Sequence, residues 1–84
     1  MEELRAIYDG RKSFYGKAHT FTEGNRLILK SYKTDVAFIE NGKAVVNGSY
    51  SQTTTRHIKE FLKQNGFKAE TMKQVLKDYP PKDK

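Results

Sequence analysis

The segment Tyr50 to Phe67, YSQTTTRHIKEFLKQNGF, limits what this chain can fold into more than any other. Its start, body and stop each carry a signal with a mechanism. Ser51 and Thr53 are both good N-cap residues, because a side-chain oxygen there accepts from an otherwise unpaired helix N–H; Ser51 is the preferred of the two. Thr54, Ile58, Phe61, Leu62 and Asn65 then recur at three- and four-residue spacing, the stripe of an amphipathic helix. Arg56, Lys59 and Lys63 fall together on the opposite side, which is expected to face solvent. Glu60 is spaced to reach Arg56 or Lys63, a pairing worth only about 0.2–0.5 kcal/mol. Asn65-Gly66 stops the helix, since glycine takes the left-handed conformation at low cost and Phe67 can fold back.

Strands precede this helix. Lys12 to Thr22 alternates, with Phe14, Gly16, Ala18 and Thr20 on one side and Tyr15, Lys17, His19 and Phe21 on the other. Gly16 within it suggests a bulge or a close backbone approach. A turn at Glu23-Gly24-Asn25 leads into a second strand, Arg26 to Tyr32, antiparallel to the first. Thr34 to Glu40 is a third. Asn41-Gly42 is the strongest two-residue hairpin signal, and Lys43 to Asn47 returns as a fourth strand. That turn sets the register: Glu40 opposite Lys43, Ile39 opposite Ala44, Phe38 opposite Val45, Ala37 opposite Val46. Met1 to Tyr8 reads as a short helix or a loose arm. After Phe67 a second helix is expected from about Ala69 to Asp78, with Ala69, Met72, Val75, Leu76 and Tyr79 as its stripe and Pro80-Pro81 as its stop. Residues 80–84 read as a flexible tail. Strands followed by helices make an α+β domain. The expectation is an antiparallel meander of about four strands with two C-terminal helices on one face, all in one domain spanning residues 1–84.

At 84 residues and a mean hydropathy of −0.84, the core must be small, so most of the ten aromatics are needed inside it. There is no cysteine, hence no disulfide and no thiolate metal site. The N-terminus lacks the basic and apolar regions of a signal peptide, and no apolar run reaches membrane-spanning length. The net charge is +6, with +2 from residues 1–50 and +4 from residues 51–84. The excess sits at the helical end, where it favours an anionic partner or serves only solubility.

Catalytic signals are sparse. Two histidines, His19 and His57, with scattered carboxylates do not make a metal site. Ser51, His57 and Asp35 form a nucleophile set only on paper, because such a set is recognised by geometry. No glycine-rich phosphate loop is present. Neither an enzyme nor a cofactor is expected. The helix start is the better candidate. Its free N–H groups favour an anion, Thr53, Thr54 and Thr55 add hydroxyls, Arg56 adds a bidentate fork, and His57 adds a pH-dependent charge. Lys59 and Lys63 extend the same basic set. The alternative is that the threonines only cap their own helix and that His57 packs. The aromatics Phe14, Tyr15, Phe21, Tyr32 and Phe38, with Lys12, Lys17, Lys30 and Lys33 near them in sequence, interleave as base-stacking platforms do. Tyr15, Lys17, Lys30, Tyr32 and Lys33 are the second candidate set, of stacking or sheet-edge contacts, and the stronger alternative is that the aromatics serve the core.

The segments RKSFYGKA (Arg11–Ala18), LKSYKTDVAFIENGK (Leu29–Lys43) and Tyr50–Phe67 together resemble an uncharacterised family of small proteins from Gram-positive bacteria and their phages. The resemblance covers roughly Tyr8 to Phe67. It implies a phage or prophage setting and a location in the bacterial cytoplasm, and it carries no activity with it. The leading expectation is a non-enzymatic nucleic-acid-binding or regulatory module. The rival is a protein-binding effector that inhibits a host enzyme or defence complex. A homodimer with a structural role is a third reading.

Overall fold

A computed structural model describes residues 2–10 and 14–81. Five antiparallel strands form one meander: β1 (Glu2–Glu3), β2 (Ala18–Glu23), β3 (Arg26–Ser31), β4 (Thr34–Glu40) and β5 (Lys43–Val46), in that spatial order. Two helices follow, α1 (Gln52–Gln64) and α2 (Met72–Asp78). The class is α+β. The Asn41-Gly42 turn sets the β4–β5 register at Glu40↔Lys43, Ile39↔Ala44, Phe38↔Val45 and Ala37↔Val46. Both turn residues sit at positive φ, 53° and 77°, as a type I′ turn requires.

The helices cover the sheet face that carries Ala18, Leu29, Val36, Ala37, Ala44 and Val46, and α1 seats Ile58, Phe61 and Leu62 there. An irregularity at Leu29/Lys30 gives β4 one extra residue, so Val36 and Ala37 both reach the core. Ser51 caps α1, accepting from the Thr54 N–H at 3.3 Å. At the other end Gly66 has φ 85° and the Phe67 N–H returns to the Leu62 carbonyl at 2.9 Å, which turns Phe67 back onto the core. Val75 of α2 is fully buried, and the Val46 N–H donates to the Tyr79 carbonyl at 3.0 Å. The end of α2 is thereby tied to the edge of the sheet.

Four expectations change. Residues 2–8 form no helix: Glu2 and Glu3 pair with Thr20 and His19 as a fifth strand, and Leu4 enters the core. The first long strand begins at Ala18 rather than Lys12; residues 14–17 are a turn closed by Lys17 N–H donating to the Phe14 carbonyl at 3.0 Å, and Lys12 and Ser13 lie outside the described residues. Gly16, read as a bulge, is a central residue of that turn at φ 73°. The second helix begins at Met72, because Thr71 caps it by accepting from the Gln74 N–H at 3.1 Å; Ala69 packs from the preceding loop. The expected tail beyond Pro81 also lies outside the described residues.

Gly42→Val is expected to destabilise the domain by roughly 1–2 kcal/mol, the cost of holding an L-residue in the left-handed region. Open space surrounds the site, so the loss is backbone strain rather than a clash. A thermal melt that matches wild type would contradict this account of the turn.

Candidate functional site

Glu60 is on the side of α1 turned away from the sheet, yet it is only 2% exposed. The N-terminal arm buries it. Residues 5–9 run beside α1 in the opposite direction. Gln64 donates to the Arg5 carbonyl, Glu60 receives the arm's middle, and Arg56 meets Asp9 at 3.9 Å. Three successive arm N–H groups point at one carboxylate. Ile7 donates to Oε2 at 3.0 Å, Tyr8 to Oε1 at 2.9 Å and Oε2 at 3.1 Å, and Asp9 to Oε1 at 2.8 Å. Gln64 Nε2 adds a bond to Oε2 at 2.6 Å. Successive N–H groups of this kind form a concavity suited to an anion, and here a side chain of the same chain fills it. The expected pairing of Glu60 with Arg56 or Lys63 across the helix surface is replaced by these bonds.

The arm leaves a cleft of about 340 Å³ between itself and α1. Tyr8, Asp9 and Gly10 form one wall; Arg56, Lys59 and Lys63 form the other, with Glu60 at the base. Three cations thus share one concave surface. Its two carboxylates are already engaged, Glu60 with the arm and Asp9 with Arg56. Among the described residues, no ion pair engages Lys59 or Lys63. A hollow of about 650 Å³ lies across the opposite sheet face, but it mixes Arg26 with Glu23 and Asp35 beside Ile28 and Phe38, and Arg26 there bonds Glu40 at 3.2 Å. The α1 cleft is the one of the two that gathers cations: three against two engaged carboxylates, where the sheet hollow has one against two.

The helix start does not present the expected threonine cluster. Thr53 is exposed, and the Thr55 N–H is used by the Ser51 carbonyl at 2.9 Å. Thr54 and His57 face inward and are not available to a surface anion. The Ser31 hydroxyl on β3 joins them, 2.9 Å from Thr54 Oγ1 and 2.8 Å from His57 Nδ1. Ser31 and His57 have the spacing of a nucleophile and its base, but Ser31 is only 2% exposed, so the group acts as a polar tie between helix and sheet. Ser51 is occupied by the cap, and Asp35 lies on the far sheet face; Ser51, His57 and Asp35 are not brought together. His57 packs against the edge of Phe14 at 4.6 Å, and its buried Nε2 has no hydrogen-bond partner among the described residues. Of the second set, Tyr15, Lys17, Tyr32 and Lys33 lie on two turns joined by a 2.7 Å bond from the Tyr32 N–H to the Lys17 carbonyl. Lys30 is apart from them, over the Phe21 ring on the open sheet face. Among the described residues, no three His, Asp or Glu side chains converge as a metal site. No helix among them is long and apolar enough to cross a membrane.

Two outcomes follow from these buried groups. Glu60→Gln replaces a charged acceptor with an amide whose NH₂ opposes an arm N–H. The loss is expected to be about 1–3 kcal/mol, with the amides of Ile7, Tyr8 and Asp9 exchanging faster in hydrogen-exchange NMR. Unchanged protection there would rule out the clamp. Burial lowers the His57 pKa below its ordinary 6.5, with Asp9 pulling weakly the other way. The folded state therefore prefers neutral imidazole. His57's contribution is complete above the unfolded value near 6.5 and is lost as pH falls below it toward the folded value. Melting temperature should drop over that acidic window, and His57→Asn should flatten the drop; an equal slope in the variant would place its origin elsewhere.

No curated protein and no solved structure matches the chain. The family model that does match spans residues 2–78, which takes in the arm, the sheet and both helices, and the chain belongs to the Family of unknown function (DUF8033).

Proposed function

We propose that this protein is a non-enzymatic module that binds the phosphate backbone of nucleic acid along the flank of α1. The observation that carries this reading is the cleft itself, where Arg56, Lys59 and Lys63 share one concave wall. Arg56 supplies a planar fork that matches phosphate oxygens, and the two lysines act as point charges. The arm shapes the groove from the other side, with Tyr8 on its rim. Asp9 holds Arg56 before a ligand arrives, so a phosphate competes with that carboxylate. A second reading, a protein-binding effector, draws on Ile7 and Tyr8, which stand exposed on the arm beside the cleft. The two separate by salt response: phosphate contacts release counterions and weaken steeply with salt, whereas an interface anchored on aromatic and aliphatic groups weakens less.

Changing Arg56, Lys59 and Lys63 together to Gln should leave the fold within about 0.5 kcal/mol of wild type per site. It should remove most affinity for nucleic acid and flatten the salt slope by up to about three contacts. Asp9→Asn should act in the opposite direction, tightening binding by roughly two- to fivefold. Fluorescence anisotropy at two salt concentrations, with circular dichroism to check folding, reads both. Identical affinity and slope in the triple variant would end the phosphate reading of α1. A salt-insensitive protein complex captured through Ile7 and Tyr8 would favour the rival.

A further inference from the structure

Two turns at one end of the sheet each place a tyrosine where a glycine is expected. Tyr15 sits at φ 54° in the Phe14–Lys17 turn, and Tyr32 at φ 58° in the hairpin between β3 and β4. An L-residue is strained in that region, and glycine or asparagine would occupy either position more easily. Neither ring is compensated by burial: Tyr15 is 73% exposed and Tyr32 50%. Each aromatic side chain carries a large apolar area that a chain of 84 residues can use in its core. Tyr15 and Tyr32 instead combine a strained backbone with exposure, the kind of outlier from which a function is inferred.

The two turns act as one unit. The Tyr32 N–H donates to the Lys17 carbonyl at 2.7 Å. Behind Tyr32 lie buried rings, with His57 at 6.0 Å between centroids and Phe14 packed on His57 in turn. Tyr32 is therefore backed by the core. Lys17 and Lys33 are exposed on the same turns, and Lys17 Nζ stands 6.0 Å from the Tyr32 ring centroid. The α1 cleft adjoins this end: Arg56 directly precedes His57, and Asp9, which pairs with Arg56, also acts electrostatically on His57.

We propose that Tyr15 and Tyr32 form a base-stacking platform flanked by Lys17 and Lys33, and that the ligand is single-stranded nucleic acid. Rings that stand out from turns stack on bases free of a duplex, and the interaction tolerates any sequence because every base has a π-face. The proposal rests on the phosphate reading of α1 for the path of the backbone, and it adds the recognition of bases.

The test compares three fluorescently labelled ligands of about 12 nucleotides, within the span of small single-strand binders. They are an oligothymidylate, a strand of the same backbone with abasic sites, and a duplex. Wild type should bind the oligothymidylate about tenfold or more tighter than the abasic strand, and tighter than the duplex. Tyr15→Leu and Tyr32→Leu should each lower oligothymidylate affinity about tenfold while leaving the abasic strand's affinity unchanged. Tyr15→Phe and Tyr32→Phe should retain wild-type affinity, because the ring rather than the hydroxyl stacks. Equal wild-type affinity for base-bearing and abasic strands overturns the platform and leaves the α1 phosphate reading standing; this comparison needs no variant to fold. A preference for duplex also overturns it. Loss of base-dependent binding in the Leu variants, with no effect of the Arg56, Lys59 and Lys63 changes to Gln, upholds the platform and removes α1 from the interface. Failure of wild type to bind any of the three strands overturns both.

Discussion

The placement of the N-terminal arm depends on one buried carboxylate. Glu60 lies on the side of α1 away from the sheet, where nothing from the sheet covers it. A carboxylate taken out of water without partners costs several kcal/mol. Three consecutive arm N–H groups and the Gln64 amide supply those partners. The same bonds satisfy backbone donors that no strand or helix uses, so helix and arm each remove the other's unpaired polar groups. The consequences reach outward. With the arm held, Leu4 joins the core and Glu2–Glu3 extends the sheet to a fifth strand. Tyr8, Asp9 and Gly10 then stand opposite the basic residues of α1 and make a cleft from what would otherwise be a convex helix surface.

A second polar cluster acts at the other end of the helix. Ser31, Thr54 and His57 bond to one another beneath α1. Polar groups inside an apolar layer are costly unless paired, and pairing restricts them to one arrangement. Ser31 on β3 thus selects the rotation and height at which α1 docks, where Ile58, Phe61 and Leu62 alone would accept neighbouring registers. The tie also fixes His57 beneath Tyr32 and next to Phe14. The surface at that end, with its two tyrosine turns, is built on a rigid polar and aromatic base.

The two faces of the sheet divide the labour. The covered face holds the hydrophobic core. The open face carries Phe21, Ile28, Phe38 and Val45 in register across four strands, shielded by Lys30 over Phe21 at 5.6 Å and Arg26 over Phe38 at 4.4 Å. Those cations cover apolar surface with their stems, and Arg26 is further held by Glu40. Arg56, Lys59 and Lys63 are instead grouped at the flank of α1, which is why the candidate interface is placed there and not on the sheet.

Local rules make much of the fold legible in the order of residues alone. Asn41-Gly42 dictates its turn and the β4–β5 register, because positive φ at two successive residues permits few alternatives. Ser51, Gly66 and the stripe of Ile58, Phe61 and Leu62 bound α1 and assign its inner face, since capping and helical period act within a few residues. The same rules place Arg56, Lys59 and Lys63 on one side. They misassign Glu60: Gln64, four residues on, is one of its donors, but the three arm N–H groups that bury its carboxylate are 51 to 53 residues away and invisible along the helix. For Thr54 and His57 the sequence leaves an anion site and an inward, packed role both open; what decides for the inward one is Ser31, 23 and 26 residues distant. Tyr15 and Tyr32 stand out in the sequence only as aromatics near lysines; their left-handed backbone and shared turn surface exist only once the strands pair. Short-range sterics and periodicity are written in the sequence. The pairing of a buried charge with its donors is decided only when the chain closes and water leaves.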